Sequence, residues 1–264
     1  MTRKKTGKAT GKTKKRPRWG AWLTAVVVIA AALSLLHSIG EGGLFFTESK
    51  LERFMHVHHI DRSEYPPELL RLMERNKETE DFVIHYPLNK DRHYDIDLSQ
   101  YEHTDSVPLL MQWDERWGYE PYGSSMIALS GCGPTCLSMV AIYLTHDTSL
   151  HPKAVAEFST RNGYVISGNG TSWTLMSAGG KKLGMEVIEI PLDETRIMKN
   201  LAVGNPIVCI MGPGDFTDTG HYIVMTGTEN GKIRINDCNS RANSQKLWQY
   251  SDIKDQIRNL WVFR

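Results

Sequence analysis

The stretch that most restricts the fold is Cys136-Leu-Ser-Met-Val-Ala-Ile-Tyr-Leu144, which is apolar nearly all round a helix. A helix with no polar face must be covered on every side, so this one is central and buried. It is preceded by Gly131-Cys132-Gly133-Pro134, a tight turn feeding the helix. Pro134 suits a first helical position, and the residue before a proline, Gly133, is pushed out of the helical region. Cys132 then sits at the mouth of a buried helix, where the positive end of the helix dipole favours thiolate over thiol. Gly131 and Gly133 leave space there for a substrate carbonyl. An inert buried cysteine is the alternative reading of Cys132 taken alone.

Two further positions favour chemistry. Pro206-Ile-Val-Cys-Ile-Met211 reads as a buried strand, and Gly212 to Gly220 as a loop. His221-Tyr-Ile-Val-Met-Thr226 reads as a second strand with the histidine at its entrance. Lys232-Ile-Arg-Ile-Asn-Asp237 is a third strand that ends in an acid. Cys132, His221 and Asp237 compose a thiol–imidazole–carboxylate set. The thiolate attacks a carbonyl, and the imidazolium stabilises it and protonates the leaving amine. The carboxylate fixes the imidazole tautomer and orientation. Cys136, one turn beyond Cys132, and Cys209, in mid-strand, read as core residues. A Cys209–Cys238 bridge between neighbouring strands is an option outside the cell. Trp113 and Trp117 read as packing residues rather than substrate platforms.

The amino terminus reads as a membrane address. Of the 31 Lys and Arg, nine lie in Met1 to Arg18, which holds no acid, so the rest of the chain carries 22 basic and 30 acidic side chains, a net of −8. An acidic body argues against nucleic-acid binding. Trp19 to Gly40 contains no charged residue. Its 22 residues would span roughly 33 Å as a helix, enough for a bilayer core, with Trp19 and Trp22 at one interface. Positive residues stay in the cytoplasm, which predicts a cytoplasmic amino terminus and an external carboxy-terminal body. A cleaved signal peptide is the rival, but the run is long for one and no small-x-small site closes it.

Residues 41–104 read as a stalk with a short helix near 66–76 that begins at Pro66-Pro67. Asp81 to Pro87 reads as a short extended piece ended by the proline, and Leu88 to Thr104 as linker. His56, His58 and His59 lack a carboxylate or cysteine at ligand spacing and read as polar surface rather than a metal site. The chemistry-bearing domain occupies 105–264, and no metal or cofactor is expected.

Gln112-Trp-Asp-Glu-Arg-Trp117, Ser130-Gly-Cys-Gly-Pro-Thr135, Gly214-Asp-Phe-Thr-Asp-Thr-Gly-His-Tyr222 and Asn236-Asp237 occur in that order. Together they resemble the papain-like double-glycine (bacteriocin-leader) cysteine peptidases, and more narrowly the stand-alone extracellular members from Gram-positive bacteria. The likeness covers Val107 to Arg264, 158 of 264 residues. It implies an α+β papain-like fold with the cysteine helix packed on an antiparallel sheet. It also implies Cys132 as nucleophile, His221 as base, Asp237 as orienting acid and Gln112 as oxyanion donor. A glutamine amide suits that task, since its NH₂ can stabilise the tetrahedral oxyanion beside the cysteine's own backbone N–H. The implied partner is a peptide or cell-wall peptide substrate; the rival readings of the chain are a peptidoglycan stem-peptide endopeptidase or amidase and a catalytically silent surface binding module. Many relatives carry Asp-Pro where this chain has Asp237-Cys238.

Pairing of the two site-bearing strands carries a geometric demand. For His221 to lie directly opposite Asp237, their hairpin must be centred on Glu229. A tight Asn230-Gly231 turn, a strong hairpin signal, would instead place Val224 opposite Asp237. His221 would then be three residues, roughly 10 Å, along the strand. The chemistry therefore predicts a three-residue loop, Thr228-Glu229-Asn230, or an equivalent bulge.

Overall fold

The computed structural model describes residues 48–166 and 170–264. Two units are distinguished, Met1–Arg53 and Phe54–Arg264. Of the first, only residues 48–53 are described. Ser49 caps the helix Lys50–His58 there, its hydroxyl accepting from the Glu52 N–H while the Glu52 carboxylate accepts from the Ser49 N–H. The expected membrane anchor, Trp19–Gly40, lies outside the described residues. Among the described residues no helix is long and apolar enough to cross a membrane.

The second unit is α+β. Six strands form one antiparallel sheet in the spatial order Val187–Glu189, Ile257–Phe263, Ile207–Met211, His221–Glu229, Lys232–Asn236, Leu247–Trp248. Both faces of its middle are covered, so the central strands are apolar on consecutive residues rather than alternating. Val208, Tyr222, Val224 and Trp261 pack with Cys136, Leu137, Met139 and Val140 of the helix Cys132–Thr145. Cys209, Ile223, Met225 and Ile235 pack on the other face with Ile197 and Leu201 of the helix Glu194–Ala202. Cys209 and Cys238 belong to these two different cores, so the sheet separates them and the bridge between them is ruled out; all four cysteines are free.

The cysteine helix is buried from Gly133 through Ile142. It starts two residues earlier than the proline suggested: Cys132 is its first residue, Gly131 its cap, and Pro134 falls third. A proline is tolerated throughout the first turn because the N–H it lacks would have no helical partner there. Gly133 is thus helical. Its constraint is spatial, since a Cβ would lie 2.6 Å from Thr171 Oγ1.

The tight turn forms after all. Asn230 and Gly231 have φ of 52° and 74°, and Glu229 opposes Lys232, so the predicted three-residue loop is absent. The compensation is a bulge farther down: Gly227 opposes Arg234 while Met225 opposes Ile235, which leaves Thr226 as the extra residue.

The compact second unit begins at Phe54, so residues 54–104, read from sequence as stalk, fold with the domain. Pro67–Arg75 is a helix. Asp81 to Pro87 is not extended but lies within the helix Glu80–Asn89, with Pro87 inside it. The missing Pro87 N–H costs one helical bond. Burial of Phe82, Val83 and Ile84, and acids Glu80 and Asp81 in the first turn, outweigh that loss. Phe82 stacks on Tyr119 with centroids 4.2 Å apart, and the Tyr119 hydroxyl donates to the Phe82 carbonyl. In the expected linker, Leu98 is buried.

Candidate active site

Cys132 is brought to the end of the sheet by its helix, and His221 by the first residue of the strand His221–Glu229. The imidazole and the nearby backbone N–H groups of Tyr222 and Gly133 favour the thiolate form of Cys132. His221 Nε2 lies 2.8 Å from Asp237 Oδ1, with the pair almost wholly buried at 6% and 1% exposure. Because Nε2 is taken by the carboxylate, Nδ1 is the ring nitrogen left for Cys132. Cys132 as a residue is partly exposed, whereas His221 and Asp237 are buried.

Electrostatics agree with this layout. Burial alone would raise the Cys132 thiol, but the hydrogen bond and charge of His221 outweigh it, and the group titrates below an ordinary thiol. Burial opposes charge on His221. The Asp237 carboxylate and the Cys132 sulfur beside the ring outweigh burial, and the imidazole titrates well above its usual range. Asp237, also opposed by burial, is held below the usual carboxylate range by His221 and Asn243. By contrast, burial pushes Cys136, Cys209 and Cys238 upward, so these three remain thiols at neutral pH.

Asp237 lies just beyond the strand Lys232–Asn236, in a loop that saturates it. Its Oδ1 also accepts from the Asn239 N–H at 2.9 Å, and its Oδ2 from Asn243 Nδ2 at 3.0 Å. Its own N–H donates to Ser244 Oγ at 2.9 Å. Asn243 is a member of the site that the sequence reading missed. Its only signal is Ser240 three residues before it, whose side chain caps the short helix Arg241–Ser244.

Gln112 is buried and is tied to the same loop from both ends. Its backbone N–H donates to the Cys238 carbonyl at 2.8 Å, and its Oε1 accepts from the Cys238 thiol at 3.3 Å. Nε2 donates one hydrogen to the Ala128 carbonyl at 2.6 Å, which leaves its second hydrogen uncommitted to that bond. The Cys238 sulfur also lies 3.8 Å from the Cys132 carbonyl, so the amide is in the neighbourhood of the helix mouth. Trp117 is fully buried and bonds the Met111 carbonyl, and Trp113 donates to the Asn239 carbonyl at 3.1 Å. Both are packing residues.

Donor atoms of His221, Asp237 and Cys238 lie within 4.8 Å of one another among the described residues. To hold a cation there, His221 and Asp237 would have to give up their mutual bond. His56, His58 and His59 are exposed.

A family model described as the Peptidase_C39-like family matches residues 104–263. The chain belongs to that family, and it is a cysteine peptidase. No curated protein is significantly similar to it. Among solved structures, the peptidase domain of Streptococcus ComA, a bifunctional ABC transporter of a quorum-sensing pathway, is 24% identical with a TM-score of 0.40, over 50% of this chain and 89% of that one. A Bacillus anthracis protein described as a C39-like peptidase is 15% identical with a TM-score of 0.37, over 65% of this chain and 98% of that one.

Proposed function

We propose that the chain is a membrane-anchored extracellular cysteine peptidase that cleaves peptide bonds through Cys132, His221, Asp237 and Gln112. The observation that carries this reading is the buried 2.8 Å contact of His221 Nε2 with Asp237, which leaves Nδ1 to a thiol at a helix mouth. The Cys132 thiolate adds to the scissile carbonyl and forms a C–S bond. Gln112 Nε2 and the Cys132 backbone N–H, which has no helical acceptor at the first turn, receive the developing oxyanion. His221 gives its proton to the leaving amine as the C–N bond breaks. Water then adds to the thioester, losing a proton to His221, and the C–S bond breaks to release the acid product and restore the Cys132 thiolate beside the imidazolium. Asp237 holds the imidazole in one orientation throughout. No step calls for a metal or cofactor. The membrane location rests on the uncharged run Trp19–Gly40 behind nine cations.

Incubation of the protein with a peptide library and with purified peptidoglycan, followed by mass spectrometry, tests the reading. Products are expected from peptides and are lost in Cys132→Ala. Cleavage that survives in Cys132→Ala contradicts it.

A further inference from the structure

Residues that precede the family domain are bonded directly to the loop that carries the site's carboxylate. Glu78 lies 26 residues before the first position matched by the family model. Its Oε1 accepts from Ser240 Oγ and the Ala242 N–H, both at 3.1 Å, and its Oε2 from the Arg241 N–H at 2.9 Å. The Arg241 and Ala242 N–H groups are orphan donors at the start of the helix Arg241–Ser244, where a carboxylate is favoured. Asn76 adds a second tie, its Nδ2 donating to the Asn239 carbonyl at 2.6 Å. That carbonyl also receives Trp113 Nε1, from the residue next to Gln112. The Asn76 Oδ1 in turn accepts from the Glu78 N–H at 3.0 Å, so the two braces hold each other.

The loop that Glu78 and Asn76 grip leads to Asp237. Asn243, one residue past Ala242, donates to Asp237 Oδ2, Asn239 donates to Oδ1, and Ser240 donates its N–H to the Asp237 carbonyl. We propose that Glu78, with Asn76, is a positioning residue of the active site: the segment before the family domain sets the orientation of Asp237, and through it the charge on His221. The proposal rests on the Cys132–His221–Asp237 reading. It makes residues 54–104 a working part of the enzyme rather than a spacer.

The pH dependence of Cys132 alkylation by iodoacetamide, measured on the full chain by peptide mapping, tests this without a known substrate. Glu78→Ala frees the loop, so Asp237 holds His221 less well and the thiolate loses support. The midpoint of the Cys132 profile is expected to move up by about half a pH unit or more. Removing a negative charge would by itself move it down, so the direction separates positioning from direct electrostatics. Glu78→Gln, isosteric and able to keep one oxygen acceptor, is expected to shift the midpoint the same way by less, and it covers the case where the alanine variant fails to fold. In an Asp237→Asn background the Glu78 substitutions should add nothing, because both act through one group. An unmoved or lowered midpoint, or a shift that persists undiminished in Asp237→Asn, overturns the proposal. If Asp237→Asn moves the midpoint while Glu78→Ala and Glu78→Gln do not, the proposal falls and the catalytic reading stands. If Asp237→Asn itself has no effect, both fall.

Discussion

Asp237 bonds His221 from a position two residues out of register. Met225 opposes Ile235 and Val224 opposes Asn236, so the next pair would set Ile223 against Asp237, with His221 two residues farther on. Residues two apart on a strand share a face, and diagonal neighbours are within reach of an imidazole. The single extra residue, Thr226, makes this possible. Were Thr226 instead paired with Ile235 in the regular ladder that the turn sets, Asp237 would oppose Val224, an odd number of residues from His221, and would point to the other face.

Deleting Thr226 should close the ladder without moving the pair, because Gly227–Arg234 and Met225–Ile235 then become consecutive partners. The expected result is an unchanged pH midpoint of Cys132 alkylation in a chain that far-ultraviolet dichroism shows to be folded, and a rise toward that of a free thiol would contradict this register. Thr226→Ala, which keeps the residue count, should leave the midpoint where it is.

Gly133 is fixed by space. A Cβ would lie 2.6 Å from Thr171 Oγ1 and 2.7 Å from Thr171 Cβ. Thr171 cannot swing away cheaply, because it is buried and its hydroxyl is bonded to the Tyr122 hydroxyl at 2.7 Å. Gly133→Ala should destabilise the protein by about 1–3 kcal/mol, read from urea unfolding.

These cases show which parts of the site were legible in the sequence. The apolar surround of Cys136 to Leu144 marked the central helix, and strand-length apolar runs marked the central strands. Cys132, His221 and Asp237 stood at element ends, where their side chains meet. The start of the cysteine helix was misjudged because Gly133-Pro134 signals a boundary locally, while the first turn tolerates proline without forming one. Phe82 to Ile84 was misread because burial against Tyr119, a non-local contact, decided between helix and extended chain. The turn was fixed by Asn230-Gly231 and the face by a bulge at Thr226, a residue that carries no bulge signal of its own. Glu78 and Asn76 were invisible because their partners are more than 160 residues away.

Ionisation of the buried pair should shape stability against pH. The Asp237 carboxyl is depressed, so its contribution is present above the unfolded value of ~3.9 and is lost as pH falls through its folded value. The His221 imidazole is raised, so its contribution is complete below ~6.5 and is lost as pH rises through its folded value. Both are present together between about pH 4 and 6.5. Thermal unfolding should show the largest deficit of Asp237→Asn relative to the unsubstituted protein in that window, with a smaller one at alkaline pH. A deficit that does not vary with pH would count against the ion pair.

The charge pattern around Trp19–Gly40 sets the expected topology. Protease treatment of intact cells should remove the catalytic domain. Protection until lysis would reverse the orientation, and a domain found free in the medium would favour a cleaved segment.

The central claim is that Cys132 is an activated nucleophile paired with His221. Limiting iodoacetamide at pH 6–7, followed by peptide mapping of all four cysteines, tests it most directly. Cys132 should be modified first and well ahead of a free thiol at the same pH, and His221→Ala should abolish that advantage. Preferential labelling of Cys136, Cys209 or Cys238, or a Cys132 that reacts as an ordinary thiol, would contradict the account.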